Sequence, residues 1–272
     1  MAFFSLTKTS FGATFVKMFA YKRQEFMKDL SICSQISGYW NWRAASFDAT
    51  SCRQKPWVEV YARALALKPG AKILDLGTGT GFLALGLAAK GYRVTGIDIS
   101  ERMLEIAGNK ARDLNLEVEF LRMPADIPDF TPGYFDAVVT RNLVWTLKDP
   151  WQAVKNWALV LRKNGRIIIS DGIWRPVTPV QKISSFFLDM LNCLSRNRQD
   201  HPEKFKKMYQ PIDPELPFGM GLFPWQAEQL LKDCGFISTI KHEREFAENP
   251  YTTKGRYFPG YGRFFILSAT RG

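Results

Sequence analysis

The stretch ILDLGTGTGF, residues 73–82, decides the fold. An apolar run typical of a buried strand passes directly into three glycines at alternate positions, Gly77, Gly79 and Gly81. Glycine lets a backbone turn sharply and approach a ligand closely, because no Cβ stands in the way. The residues that follow, FLALGLAAKG, have a helical pattern. The stretch therefore predicts a strand, a ligand-binding turn and a helix in succession.

The same alternation of strand and helix continues on both sides of this stretch. Helices are predicted at 57–67, 82–91, from Ser100 onward, and at 150–165, and Ser100 is a good N-cap. Strands are predicted at 71–77, 93–99, 117–123, 135–141 and 166–171. Near-continuous apolar strands separated by helices indicate a parallel sheet covered on both faces.

The pattern breaks at residues 174–222, which combine prolines, aromatic residues and a basic polar run. An insertion beside the strand ends is where a substrate pocket forms in such folds, so we expect a cap here. A helix at 224–235 follows, and strands at 238–245 and 261–270 predict an antiparallel hairpin at the sheet edge.

The predicted fold is thus α/β, with a mostly parallel seven-stranded sheet, an antiparallel C-terminal edge hairpin and a helical cap. We divide the chain into four parts: an N-terminal helical cap segment (1–53), a nucleotide-binding core (54–173), a cap insertion (174–222) and the C-terminal part of the core (223–272).

Composition narrows the class of protein. The chain has 272 residues, a net charge of +11 and an apolar fraction of 46%, which is typical of a globular protein. The four cysteines are scattered and form no C-x-x-C pair, so we expect no metal site, no disulfide framework and a reducing cytoplasm.

The basic excess lies mainly outside the core. Residues 1–55 carry eight basic and three acidic residues. No apolar run reaches the roughly 18 residues of a membrane span. Residues 13–30 are predicted to form a helix packed on the domain, and the alternative is a basic helix that contacts an anionic membrane surface. The sequence does not fix the oligomeric state.

The acid that follows the second strand indicates the kind of nucleotide. Asp98 lies 21 residues after Gly77, and a carboxylate there accepts hydrogen bonds from both ribose hydroxyls. A glycine turn plus an acid at this distance indicates an adenosine-containing cofactor. Both NAD and S-adenosylmethionine satisfy the pattern, and a glycine-rich turn without a ligand is the third interpretation.

The loop itself favours S-adenosylmethionine. Dinucleotide sites use G-x-G-x-x-G, and here Phe82 stands where the third glycine would be. Asp75, two residues before Gly77, would repel a pyrophosphate but would attract the ammonium of a methionine moiety.

Taken together, ILDLGTGTGF, VTGIDISERML, MPADIPDF, FDAVVTRNLVWTLKDP and VLRKNGRIIISD resemble the class I S-adenosylmethionine-dependent methyltransferases, which have a Rossmann-like doubly wound fold. The resemblance is to the small-molecule type related to ubiquinone and menaquinone methyltransferases, and it covers residues 40–173 well. It implies S-adenosylmethionine as cofactor and S-adenosylhomocysteine as product.

The resemblance also implies roles for individual residues. Asp75, Gly77, Thr78 and Gly79 would hold the methionine part, and Asp98 the ribose. The remaining cofactor contacts that it implies are Ile99 and Met103 beside adenine, Asp126 on the adenine amino group with Ala125 and Ile127 adjacent, and Arg141 and Asn142 bordering the sulfonium.

An upstream segment, YWNWRAASFD (39–48), resembles the family's entry segment. Tyr39 and Arg43 would then close over the cofactor, with Arg43 pairing with its carboxylate. Phe47 replaces the commoner tyrosine. For Trp40 and Trp42, core packing and pocket lining remain equal alternatives.

Methyl transfer requires alignment of the nucleophile, and a base for a hydroxyl acceptor. The candidates for a catalytic role are His201, Asp171 and Arg141, although a histidine in a polar run is more often exposed to solvent.

The aromatic, Met-containing cap favours a small apolar or aromatic acceptor, in a pocket between residues 1–53 and 174–222. The chain lacks the N-P-P-aromatic motif and the Pro-Cys element of DNA-base methyltransferases, so no DNA partner is expected. Two alternatives remain: methylation of a protein or RNA, and a cofactor-binding module without catalysis.

Overall fold

The computed structural model describes residues 31–48, 53–173, 205, 207–219, 221–246 and 264–272. The expectations for His201, for the helix at 13–30 and for most of the cap insertion lie outside these residues.

The described strands form a seven-stranded sheet, as predicted. The strands are β1 (Lys72–Leu76), β2 (Arg93–Asp98), β3 (Val118–Arg122), β4 (Phe135–Arg141), β5 (Leu161–Gly172), β6 (Phe236–Lys241) and β7 (Phe264–Arg271). Their order across the sheet is β3-β2-β1-β4-β5-β7-β6. The first five are parallel, and β7 runs antiparallel to both β5 and β6.

Helices cover both faces of this sheet. A helix that we call α1 is described over residues 31–47. It is followed by α2 (Gln54–Leu65), α3 (Phe82–Ala88), α4 (Glu101–Asp113), α5 (Pro150–Val160) and α6 (Pro224–Asp233). The predicted cap at Ser100 is confirmed, because its side chain accepts a hydrogen bond from the Met103 N–H. In the part of the chain that the structure describes, no helix combines the length and apolarity that crossing a membrane requires.

Two apolar cores lie on opposite faces of the sheet. One packs α2 and α3 against the central strands, with Trp57 and Tyr61 at its centre. The other joins α5, α6, α1 and residues 205–222 to the opposite face, with Trp157 and Tyr209 fully buried. The described residues of α1 and those between 205 and 222 therefore share a core with the sheet.

Two predicted elements have different bounds in the structure. The helix predicted at 150–165 ends at Val160, because Leu161 pairs with Phe135 in the sheet and Asn164 adopts a left-handed conformation with φ of 58°. The strand predicted at 238–245 is Phe236–Lys241. Its pairing shifts between Ile237 and Ile240, where Ser238 has φ of 57°.

Candidate active site

A cavity of about 420 Å³ lies at the carboxyl ends of the parallel strands. Open α/β sheets place their ligand sites at this position, because the strand order reverses there. Its lining includes residues from the glycine turn, from the ends of β2 and β4, from the loop after β3 and from α1.

The glycine turn closes one side of the cavity. Gly77, Gly79 and Gly81 all have positive φ, at 64°, 55° and 80°. A side chain at Gly77 would also place its Cβ 3.0 Å from Leu143. The Thr78 N–H donates to the Ile97 carbonyl over 2.9 Å, which ties the turn to β2.

Asp98 ends β2 at the cavity wall and is only 9% exposed. Its Oδ2 accepts from the Gly79 N–H over 2.9 Å, and its Oδ1 accepts from the Ser100 N–H over 2.8 Å. Burial raises the pKa of this carboxyl, while hydrogen bonds from backbone N–H groups oppose the increase. Each oxygen retains a second lone pair, so the carboxylate can also accept hydrogen bonds from a ligand.

Asp75 lies in β1 beneath the turn and is 2% exposed. Its Oδ2 accepts from the Thr78 hydroxyl over 2.7 Å and from the Ala84 N–H over 3.2 Å. Burial raises the pKa of Asp75 to about 7, in spite of these hydrogen bonds. A ligand cation at this position would stabilise the ionised carboxylate.

The wall beside β3 is a compact loop. Met103, Ala125 and Asp126 line the cavity. The loop is held by α5, because the Trp157 indole N–H donates to the Ala125 carbonyl over 2.6 Å and the Asn156 amide donates to the Asp126 carbonyl over 2.8 Å. Ile127 is 63% exposed and is not among the lining residues.

Part of the cavity lining is aromatic. Trp40, Phe47, Trp145 and Phe205 all belong to it. Trp40 and Phe47 precede the nucleotide-binding core in sequence, and Phe205 follows β5. Trp40 also packs against the buried core, so both alternatives hold for that residue, whereas Trp42 contacts the core without lining the cavity.

Tyr39 has a different position from the expected one. It is 5% exposed and contacts Trp40, Phe205 and Tyr209 edge-on, with ring centroids 5.0, 5.5 and 5.2 Å away. Desolvation raises its pKa to about 12. Tyr39 does not line the cavity, but its ring packs against two residues that do, Trp40 and Phe205.

Arg43 also does not line the cavity, although it shares a helix face with Trp40 and Phe47. Its guanidinium donates to the Ser46 hydroxyl over 2.7 Å and lies 5.7 Å from the centre of the Phe47 ring. The side chain is therefore directed along α1 and not into the cleft.

The three candidates for a catalytic role differ in their position relative to the cavity. Asp171 is fully buried and accepts from the Gly172 N–H over 2.8 Å and the Trp145 N–H over 3.4 Å, so it holds the loop after β4 and lies outside the cavity lining. Arg141 lines the cavity together with Asn142. His201 lies outside the described residues. Among the described residues, no three His, Cys, Asp or Glu side chains are grouped so that they could hold a metal ion.

Several lining residues were not predicted individually. Ile32, Ile36 and Trp40 recur every four residues on α1, a helical spacing visible in SICSQISGYW. Trp145 and Leu143 follow β4, where only a short helical turn (Val144–Thr146) brings them to the cavity.

The lining is compatible with an adenosyl cofactor that has a charged amino-acid tail. Asp75, Asp98 and Asp126 all belong to it, and carboxylates accept hydrogen bonds from hydroxyl and amino groups and pair with cations. At Gly79 an added Cβ would approach only the Phe47 ring, at 4.0 Å, so the turn leaves room for a ligand.

Comparison with known proteins agrees with this site. Residues 74–169 match a family model described as a methyltransferase domain. Ubiquinone biosynthesis O-methyltransferase of Alkalilimnicola ehrlichii is 33% identical over 42% of this chain and 46% of its own length. Phosphatidylethanolamine N-methyltransferase of Cereibacter sphaeroides is 35% identical over 46% of this chain and 62% of its own length. The matches thus span about half to three-fifths of these two relatives.

A longer match defines the family. 27-O-demethylrifamycin SV methyltransferase of Amycolatopsis mediterranei is 30% identical over 78% of this chain and 84% of its own length. Two solved structures share the fold at low identity. They are an S-adenosylmethionine-dependent methyltransferase from Aquifex aeolicus (18% identity, 79% and 89% of the two chains, TM-score 0.52) and the [4+2]-cyclase SpnF (14%, 87% and 94%, TM-score 0.61).

The fold and the site define a class I, Rossmann-like S-adenosylmethionine-dependent methyltransferase, and this chain belongs to that family. The relatives that it resembles within this family include a ubiquinone biosynthesis O-methyltransferase and a demethylrifamycin methyltransferase. The predicted fold, family and cofactor are confirmed.

Proposed function

We propose that this protein transfers a methyl group from S-adenosylmethionine to a small, apolar or aromatic acceptor. The observation that carries the proposal is the mixed chemistry of one cavity lining. It combines the glycine turn and the carboxylates of Asp75, Asp98 and Asp126 with four aromatic rings, those of Trp40, Phe47, Trp145 and Phe205. The carboxylates and glycine backbone suit an adenosyl group with an amino-acid tail, and the aromatic rings suit a flat or apolar molecule.

The cofactor would supply a methyl group on a sulfonium, which is already an excellent leaving group. The acceptor atom would form a bond to the methyl carbon while the carbon–sulfur bond breaks and its electron pair goes to sulfur. An acceptor that carries a proton on the methylated atom, such as a hydroxyl, would release that proton. What remains for the chain is to align the acceptor and to exclude water, and the aromatic walls do both.

The proposed roles follow the parts of the chain that line the cavity. Residues of the core, 54–173, would hold the cofactor, and the lining residues of the two cap parts would cover its methyl end. Ile36, Trp40 and Phe205 support these roles, because they belong to the cap parts and line the cavity. Lys148, also in the lining, supplies a cation at the pocket for an acceptor with an anionic group. We propose that the protein acts in the cytoplasm.

The relatives support small acceptors, since their names refer to ubiquinone biosynthesis and to a demethylrifamycin. The test has two stages. Titration calorimetry with S-adenosylmethionine, S-adenosylhomocysteine and NADH should show binding of the first two only. Incubation with methyl-labelled cofactor and a panel of phenols, aromatic amines and phosphoethanolamine lipids should then label one of them, as detected by mass spectrometry.

Two outcomes would overturn the proposal. Label found on protein or RNA instead of a small molecule would establish a macromolecular acceptor. Tight binding of S-adenosylhomocysteine with no labelled acceptor in cell extract would indicate a module that binds the cofactor without catalysis.

A further inference from the structure

The sheet order fixes the direction of the bound cofactor, given the proposed function on which this inference rests. Neighbouring strands are β3, β2, β1 and β4 in that order. Asp126 follows β3, Asp98 ends β2, Asp75 lies in β1 and Arg141 ends β4. A cofactor with adenine at Asp126 and ribose at Asp98 therefore extends its amino-acid end over β1 and β4. That end carries one ammonium and one carboxylate.

Arg141 is held in a fixed position at this end. The centre of its guanidinium lies 4.6 Å from the Trp57 ring centroid and 4.3 Å from the Phe82 ring centroid. Trp57 is fully buried in the α2 core. Where a guanidinium stacks on an aromatic ring, it presents its face to the ring and leaves its N–H groups in the plane, where they match a carboxylate in two-pronged geometry. Phe82, which replaces the third glycine of a dinucleotide loop, is thus one of the two rings that orient Arg141.

Charge decides what this guanidinium binds. A cation beside a sulfonium is unfavourable by Coulomb's law unless an anion lies near both, and such an anion can come from the protein or from the ligand. The anion present in the cofactor is its carboxylate. The neighbouring Asp75 has the complementary charge for the ammonium, and Arg141 is close enough to oppose the rise in the Asp75 pKa. The two side chains together offer one partner to each charge of the amino-acid end.

We propose that Arg141, and not Arg43, binds the carboxylate of the cofactor. Arg43 donates to Ser46 on its own helix and lies outside the cavity lining, whereas Arg141 lies in that lining. The proposed role depends on three residues of this chain. They are Arg141 at the end of β4, and Trp57 and Phe82, whose rings contact its guanidinium.

The test compares two ligands by titration calorimetry, without turnover. One is S-adenosylhomocysteine, and the other is its decarboxylated analogue, which keeps the ammonium and lacks the carboxylate. The parent protein should bind S-adenosylhomocysteine about tenfold or more tightly than the analogue. In Arg141→Met this preference should disappear, through loss of S-adenosylhomocysteine affinity alone. The analogue should bind the variant at least as well as it binds the parent, because a cation that repels it has been removed.

Three further variants sharpen the result. Arg102→Met removes an exposed arginine of α4, paired with Glu105, and should change neither affinity. Arg43→Met should keep the preference. Arg141→Lys keeps the positive charge but lacks the planar, forked guanidinium, so it should show only part of the preference. This variant also tests the assignment if Arg141→Met does not fold.

Each contrary result is distinct. Equal affinity of the parent for both ligands, equal loss of both ligands in Arg141→Met, or loss of the preference in Arg43→Met would each overturn the assignment. If the parent binds neither ligand, the proposed function fails as well. If the preference depends on Arg141 but no acceptor is methylated, only the proposed function fails.

Discussion

The backbone N–H of Gly79 donates to Oδ2 of Asp98 over 2.9 Å, across 19 residues of sequence. This hydrogen bond joins the glycine turn after β1 to the tip of β2. The same carboxylate caps the start of the next segment through the Ser100 N–H. Asp98 therefore shapes the cofactor site before any ligand binds.

Asp98→Ala should weaken S-adenosylhomocysteine binding by more than about tenfold, because each hydrogen bond to a charged group is worth roughly 1.5–3 kcal/mol. Calorimetry measures the affinity. The control is Asp113→Ala, an exposed aspartate at the end of α4, which should leave the affinity unchanged. Unchanged binding in Asp98→Ala would remove Asp98 from the site.

Asp75 predicts a pH dependence of stability. Its pKa is about 7 in the folded protein and 3.8 in the reference state, so the folded state binds the proton more tightly. The stabilisation from this group is complete below pH 3.8 and is lost as pH rises through about 7. Between pH 4 and 8, the unfolding free energy of the parent should therefore fall relative to that of Asp75→Asn, as measured by urea titration at each pH. Parallel pH profiles for the two proteins would contradict the raised pKa.

The contact between α2 and α3 depends on a small residue. A Cβ added at Gly86 would lie 2.2 Å from Cγ2 of Val58. Gly86→Ala should lower the unfolding free energy by about 1–2 kcal/mol, since overpacking outweighs the gain in helix propensity. In a Val58→Ala background the same change should be neutral or stabilising.

Gly108 provides a matched control for this prediction. It lies in α4, and an added Cβ would meet nothing within 4 Å. Gly108→Ala should therefore raise stability by up to about 1 kcal/mol. Equal effects at Gly86 and Gly108 would show that the close packing against Val58 is not present in solution.

Removal of an aromatic side chain from the cavity lining should weaken binding of the acceptor and leave binding of the cofactor unchanged. Phe205 stacks on Tyr209 with ring centroids 4.6 Å apart and lines the cavity. Phe205→Ala should raise the acceptor KM by about fivefold, because aromatic contacts contribute about 0.5–1.5 kcal/mol each. The affinity for S-adenosylhomocysteine should stay within about twofold of the parent value, since aromatic contacts are local.

Tyr134→Ala, an exposed aromatic residue away from the cavity, is the control. Tyr209→Ala is a poorer test, because Tyr209 is fully buried and its truncation would cost about 3–5 kcal/mol of stability. A Phe205→Ala variant that lost cofactor affinity and kept the acceptor KM of the parent would contradict the assignment of Phe205 to the acceptor.

Local chemistry explains why much of the fold was predictable from the sequence. Strand, glycine turn and helix follow one another within residues 73–91, and the serine cap of α4 depends on neighbours three residues apart. The acid at the end of β2 falls at a distance set by one βαβ unit. Each of these features is determined by residues close in sequence, so the parallel sheet, its edge hairpin and the cofactor family could all be read from it. The roles of the individual site residues remain predictions.

The tertiary structure decided which side chains reach the cavity. Tyr39 and Trp40 are adjacent in sequence, yet Trp40 lines the cavity and Tyr39 packs behind it against Phe205 and Tyr209. The Arg141 side chain lines the cavity and that of Arg43 does not, and the Arg141 guanidinium contacts Trp57 of α2 and Phe82 of α3. These positions depend on contacts between segments distant in sequence, and packing between such segments selects side-chain directions that no local pattern specifies.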